Sequence, residues 1–164
     1  MPRNLEHEII GVFAAGKDLT LATLRPDGSP QATTVSYASD GLSLFFGCGE
    51  GSQKARNLAR DDRVSLTINL PYVDWSQIRG ASVFGRARRL TSAKDADRFA
   101  GLFLAKFPEI AQYVATGDAG LAMFEITPEV VSLLDYRQGF GHHTLARIIQ
   151  AGGRARVEQV AEPA

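Results

Sequence analysis

Between Val64 and Leu70 the chain alternates strictly: Val64, Leu66, Ile68 and Leu70 are apolar, while Ser65, Thr67 and Asn69 are polar. A period of two sends successive side chains to opposite faces of a strand, so this segment has one buried face and one facing outward. Pro71 ends it. Upstream lie two tight-turn signals, Pro26-Asp27-Gly28-Ser29 and Ser39-Asp40-Gly41. Pro presets the first central position of a turn, and Gly accepts a positive φ. Connections this short join only antiparallel neighbours. The spacing predicts strands over 18–25, 31–38, 42–48, 64–70 and 78–90, with a final strand pair over 120–135. Gly80 and Gly85 inside the fifth strand mark a bulge or a close backbone approach. Six or so antiparallel strands of this length leave long exposed edges unless they close, so the expected architecture is a barrel.

Helices flank it, which makes the class α+β. Leu5, Ile9, Val12 and Phe13 fall at helical spacing, with Asn4 as N-cap and Gly16 as stop. A short helix opens at Ser52 and runs to about Arg60. Thr91-Ser92 caps a longer one, on which Ala96, Phe99, Phe103 and Phe107 share a face, and Pro108 starts a further short helix ending near Gly117. With 164 residues, the chain suits one domain by the usual range of roughly 100–200 residues. We place that domain at 1–150 and read 151–164, rich in Gly, Ala and charge, as a flexible tail.

The 18 basic residues balance the 18 acidic ones. No global field draws the chain to nucleic acid or to a membrane surface, so any anion site must be local. No apolar run approaches the ~20 residues of a membrane helix. Cys48 is the lone cysteine, which excludes an internal disulfide, and the charged start of the chain does not resemble a signal peptide. The expectation is a soluble cytoplasmic protein. No metal site is expected, because three histidines and one cysteine lack zinc spacing.

The stretch Gly49-Glu50-Gly51-Ser52-Gln53-Lys54-Ala55-Arg56 carries the most chemical information. A strand ends, glycines turn the chain, and a helix begins. The first amides of a helix lack internal acceptors and carry partial positive charge, so a phosphate can dock there, with Ser52, Lys54 and Arg56 as further donors. The commoner reading of such a stretch is a Ser-capped helix with solvated basic residues, and the local sequence leaves both open. It is not the phosphate loop of nucleotide hydrolases, and no GxGxxG follows a strand. On the second strand, Thr33, Thr34 and Ser36 offer hydroxyls that could face a planar heterocycle, or merely suit a half-exposed strand. Near the end, Tyr136-Arg137-Gln138-Gly139-Phe140-Gly141-His142-His143 reads either as a surface turn or as a segment closing over a ligand.

Three blocks resemble the pyridoxamine 5′-phosphate oxidase-like flavoproteins, in family order and spacing. They are Leu21-Ala22-Thr23-Leu24-Arg25-Pro26-Asp27-Gly28-Ser29-Pro30, the run from Gly51 to Leu66, and Arg79-Gly80-Ala81-Ser82-Val83-Phe84-Gly85-Arg86-Ala87-Arg88. Together they span residues 18 to 90. The resemblance implies a six-stranded antiparallel Greek-key split β-barrel that works as a homodimer with FMN at the subunit interface. By position, Thr33, Thr34, Val35 and Ser36 would line the isoalloxazine, with Gly47 and Cys48 beside it. Ser52, Gln53 and Lys54 would hold the phosphate, and the partner would contribute residues near Trp75 and Gly80. If the segment 136–143 closes over the flavin face instead of forming a surface turn, Tyr136, Arg137 or His142 would touch a small-molecule substrate.

The chain departs from the oxidase itself. Gln53 stands where many members have Arg. The second strand carries Thr33 and Ala38 at basic positions, and the Arg-x-His pair that grips the substrate is absent. The implied activity is that of an FMN-dependent oxidoreductase other than the true oxidase. The alternatives are a haem-binding or haem-degrading relative, in which His142 would ligate iron, a deazaflavin-dependent reductase, and a non-enzymatic flavin-storage or stress-response module.

Overall fold

The structure is a computed structural model and describes residues 4–114 and 120–161. Helix α1 (Leu5–Ala15) leads into strands β1 (Asp18–Leu24), β2 (Pro30–Asp40) and β3 (Ser43–Gly49). Helix α2 (Gln53–Arg60) then crosses to β4 (Arg63–Asn69) and β5 (Arg79–Arg89). Helices α3 (Ala93–Lys106) and α4 (Ala111–Val114) precede β6 (Leu121–Asp135), β7 (His143–Ala151) and β8 (Arg154–Gln159). The expected end of the last helix near Gly117 lies outside the described residues.

The strands run in the order β3-β2-β1-β4-β5-β6-β7-β8, and β3 also pairs with β6. That extra pairing closes the first six strands into an antiparallel barrel, and β3 reaches β4 only by the α2 crossover, a Greek-key connection. All pairings are antiparallel, as the short turns require. β1–β2 is an uninterrupted register from Asp18↔Ser36 to Leu24↔Pro30.

Leu21, Leu44, Phe46, Leu66, Ile68, Val83 and Ile126 fill the barrel. The α1 face of Ile9, Val12 and Phe13 packs into the same cluster, and Tyr37 Oη donates to the Phe13 carbonyl at 2.6 Å. A second cluster lies outside the barrel, where Phe99 and Phe103 of α3 cover Ala38 and Phe45. Their rings stack at 4.4 Å. This helix therefore walls the space beside β2 and β3.

Both strand glycines meet their expectation. A Cβ at Gly80 would sit 2.4 Å from the Ile68 carbonyl, and one at Gly85 would sit 2.4 Å from the Thr127 carbonyl. The register shifts between Phe84 and Gly85, a β-bulge.

Two expectations need correction. The region 120–135 is not a strand pair but one 15-residue strand. Its first half pairs with β3 and its second half with β7, while β5 runs along nearly all of it. Pro128, which cannot donate to a ladder, sits opposite the bulge at Gly85, where a proline is tolerated. The expected tail is not free over 151–159 either, and its last residues, 162–164, lie outside the described ones. β8 pairs with β7 from Ala146↔Gln159 to Ala151↔Arg154, through a turn in which Gly152 and Gly153 have positive φ.

Candidate functional site

β2, the end of β3, the start of α2 and the face of α3 enclose an open groove of about 420 Å³. Thr34 and Ser36 project from β2 into it, because alternate residues share a face. Gly47 and Cys48 form the end of the β3 wall, and Phe99, Phe103 and Leu121 supply an apolar side. A Cβ at Gly47 would lie 3.0 Å from Leu121 and 3.3 Å from Phe99, so a larger residue would narrow the groove there. Lys54 is the one charged wall, and no carboxylate lines the groove among the described residues. Glu50, the nearest acid in sequence, pairs with Arg89 at 2.7 Å instead.

The start of α2 is organised as its sequence demands. Ser52 is the N-cap and its Oγ accepts from the Ala55 amide at 3.3 Å, while the Arg56 amide donates to the Ser52 carbonyl at 3.2 Å. The amides of Gln53 and Lys54 have no acceptor among the described residues, and Lys54 has no ion-pair partner there. Two open amides and a capping hydroxyl thus begin the helix whose Lys54 lines a groove with no carboxylate among the described residues. An oxyanion is the ligand that satisfies all of them.

Other expected residues lie elsewhere. Val35 buries its side chain in the barrel, so it offers the groove only backbone. Thr33 alternates to the same face as Val35 and is not among the walls. The Gln53 amide donates to Asn57 at 2.8 Å and its carbonyl accepts from Arg56 at 2.8 Å, while Arg56 also clamps the Gly51 carbonyl at 2.5 Å. Both side chains fasten the turn and helix rather than face the groove. Trp75, Tyr136 and Arg137 line a second cleft, and Gly80 lies in β5 against β4; the resemblance brings Trp75 and Gly80 to the groove from a partner subunit, not from the same chain. His142 is half-buried, with its amide and carbonyl both bonded within the loop between β6 and β7.

Sequence reasoning missed Asn57, which is fully buried. Its amide donates to Thr23 at 3.0 Å and to Gln31 at 3.1 Å, and its carbonyl accepts from Gln53. This network moors α2 to β1 and β2 and so fixes the open amides beside the groove. The available signal was its spacing: Asn57 is four residues after Gln53 and follows the buried Ala55. Lys106 was also missed. Its Nζ lies 3.9 Å from the Tyr37 ring centroid, is buried, and makes no hydrogen bond. Burial pushes its ammonium pKa down, and burial pushes the Tyr37 phenol up.

The profile of the pyridoxamine 5′-phosphate oxidase family matches residues 6–135. The chain belongs to that family. No curated protein sequence matches it. Among solved structures it is similar to a haem-binding protein from Mycobacterium smegmatis, with TM-score 0.76 and 21% identity over 90% of this chain and 59% of that one. It is similar to conserved hypothetical protein Rv2991 from Mycobacterium tuberculosis, with TM-score 0.70 and 24% identity over 93% and 94% of the two chains. It is also similar to HutZ, the haem storage protein of Vibrio cholerae, with TM-score 0.64 and 19% identity over 77% and 92%. The chain therefore spans well under two-thirds of the first of these proteins, and likenesses at these identities establish the split-barrel fold. No described helix is long and apolar enough to cross a membrane.

Proposed function

We propose that the protein is a cytoplasmic FMN-binding oxidoreductase that acts as a homodimer on a small organic substrate and is not a true pyridoxamine 5′-phosphate oxidase. The carrying observation is the unpaired Lys54 in the wall of a groove that has no carboxylate among the described residues, at the helix start where the Gln53 and Lys54 amides are open. A terminal phosphate fits that donor set. The flavin would supply the electron-transfer chemistry, and the protein would bind and orient it. Thr34 and Ser36 would offer hydroxyls to the polar edge of its ring, and Phe99, Phe103 and Leu121 would keep water from the apolar side.

The outer face of the barrel supports the dimer. Thr34, Thr20, Thr67 and Ser82 form one row across four strands, and Ala32, Ala22 and Ser65 form the next. These positions are exposed or half-exposed, yet none is charged. A solvated sheet face ordinarily carries interspersed charges, whereas small uncharged side chains allow a second sheet to approach. The face is continuous with the groove through Thr34, so a second copy laid on it would roof the cofactor.

Purified protein is expected to be yellow, with FMN absorbance near one equivalent per chain. Lys54→Ala should weaken FMN binding by about 1.5–3 kcal/mol, the usual size of a charge-assisted hydrogen bond. Unchanged affinity would move the phosphate elsewhere. Thr67→Arg should convert a dimer to a monomer in sedimentation and release flavin, and a dimer that persists with arginine at position 67 would assign the interface to another face.

A haem reading draws support from the haem-binding proteins among the structural relatives. Its residue is His142, and its signature would be a Soret band that disappears in His142→Ala. The described walls of the groove carry Lys54 and hydroxyls but no histidine, a donor set suited to a phosphate. A deazaflavin would use the same phosphate anchor, and competition between it and FMN for the purified apoprotein separates the two.

A further inference from the structure

The loop between β6 and β7 holds a phenylalanine out in solvent. Its backbone closes on itself: the Asp135 amide donates to the His142 carbonyl at 3.0 Å, Gly139 to Tyr136 at 3.1 Å, and His142 to Gly139 at 3.1 Å. Gly139 and Gly141 flank Phe140 with φ of +142° and +75°, backbone that a side chain would strain. Beneath the loop, Asp135 is 3% exposed. It accepts from Arg137 at 2.8 and 2.9 Å and from Gln138 at 3.2 Å. Phe140, at the tip of this tied loop, is 80% exposed. A rigid loop that forgoes burial of its largest ring is a feature of binding surfaces.

A second fastened segment faces it. The Asp74 carboxylate accepts from the Ser76 amide at 2.9 Å and also from its hydroxyl, and the Tyr136 amide donates to the Ile78 carbonyl at 2.9 Å. Trp75, 64% exposed, stacks on Phe140 with centroids 6.0 Å apart, and Tyr136 meets Phe140 edge-on at 5.3 Å. The cleft beside these rings measures about 480 Å³, within the roughly 300–1,000 Å³ of ligand pockets.

Its charged group and two of its polar side chains are already engaged. Arg137 is bound by Asp135, the Ser76 hydroxyl by Asp74, and the Gln138 amide by Asp135. An anion would find no free counter-charge here, whereas a flat ring gains stacking area on rings held in place beforehand.

We propose that this cleft binds a flat, uncharged aromatic or heteroaromatic ring, and that such rings are the substrate class of the protein. The substrate assignment rests on the flavin reading, but binding in the cleft does not.

Trp75 is the only tryptophan, so indole emission, excited beyond the absorption of the four tyrosines, reports on this cleft alone. We would titrate the full chain with phenazine, an uncharged flat ring that quenches indole emission, and with phenazine-1-carboxylate as its anionic match. Phenazine should quench saturably, and the carboxylate should bind at least tenfold more weakly. Phe140→Leu should weaken phenazine at least fivefold with an unchanged melting temperature, while Lys54→Ala should leave it untouched. Linear, collisional quenching that is equal in the wild type and Phe140→Leu would overturn the proposal, as would equal affinity for the two probes. Emission that ignores phenazine but shifts on dilution would also overturn it, because a second copy would then cover the rings. FMN uptake, read from flavin absorbance, is scored separately. Saturable phenazine binding without FMN uptake sinks the flavin reading and keeps the cleft, and FMN uptake with linear quenching does the reverse.

Discussion

At the start of α2 two amides and the Lys54 ammonium lack partners among the described residues, whereas in the loop between β6 and β7 Arg137 and Gln138 are paired and the rings are left bare. Lys54 stays unpaired in the groove wall beside two open amides of the helix start, with no acid among the described groove residues. The cleft locks Arg137 onto a buried Asp135 and exposes Trp75 and Phe140. Each region also has its own scaffold: the buried Asn57 network moors the first, and the Asp135 network shapes the second. A barrel can therefore present sites of opposite character by choosing which groups its buried polar residues satisfy. A side chain at the surface tells little until its partners are known.

The sharpest way to break the comparison is to cut the first scaffold. Asn57→Ala strips partners from Thr23, Gln31 and Gln53 at once, and should cost about 3 kcal/mol in urea unfolding, at roughly 1–3 kcal/mol per buried polar group left bare. It should also weaken FMN binding without touching the phosphate donors themselves. A loss below about 1 kcal/mol would mean that α2 is held by apolar contacts alone.

Asp135→Asn, which cuts the second scaffold, should cost about 2 kcal/mol, since it weakens hydrogen bonds to a charged partner. Its pH dependence has a definite sign. Hydrogen bonds from Arg137, opposed by burial, hold the carboxyl below its ordinary value of 3.8. The stabilisation is complete above that value and is lost as pH falls through the lower folded one. Acid unfolding of Asp135→Asn should lack this part of the slope, and an unchanged acid limb would remove Asp135 as the anchor.

Lys106 sharpens the contrast from a third position, for it is an unpaired cation that faces a ring instead of an anion. Lys106→Met keeps the stem and removes a buried ammonium without hydrogen bonds. It also removes a cation–π contact of about 0.5–2 kcal/mol. The two effects oppose each other, and we expect a net gain of up to about 1 kcal/mol, because the unbonded donor carries a penalty of roughly 1–3 kcal/mol. With the folded pKa depressed, the unfolded chain binds the proton more readily, so wild-type stability should rise with pH towards 10.5 and the variant should lack that rise. The smallest effect belongs to Phe140→Leu, whose stability should stay within about 0.5 kcal/mol of wild type, as for other exposed positions. A larger loss would make Phe140 part of the fold.

Much of the barrel was legible because local rules govern it. The alternation at 64–70, the turn at 26–29 and the glycines at 80 and 85 each state a backbone requirement within a few residues. Ser52 likewise announces the cap of α2. The continuous β6 was less legible, because a strand shared among three neighbours contains a proline whose tolerance depends on the bulge across from it. β8 was hidden for a similar reason: its short alternation gains meaning only when β7 lies alongside.

The site divides in the same way. The residues 49–56 by themselves determined a turn, a cap and a helix start with basic side chains near it, since these follow from backbone geometry and from the chemistry of single residues. Only the tertiary structure decided that Gln53 and Arg56 are spent within the turn, that Thr33 and Val35 face away, and that Lys54 stays unpaired. Hydrogen-bond partners and charge partners come from segments distant in sequence, so whether a polar group is satisfied or available is a property of packing.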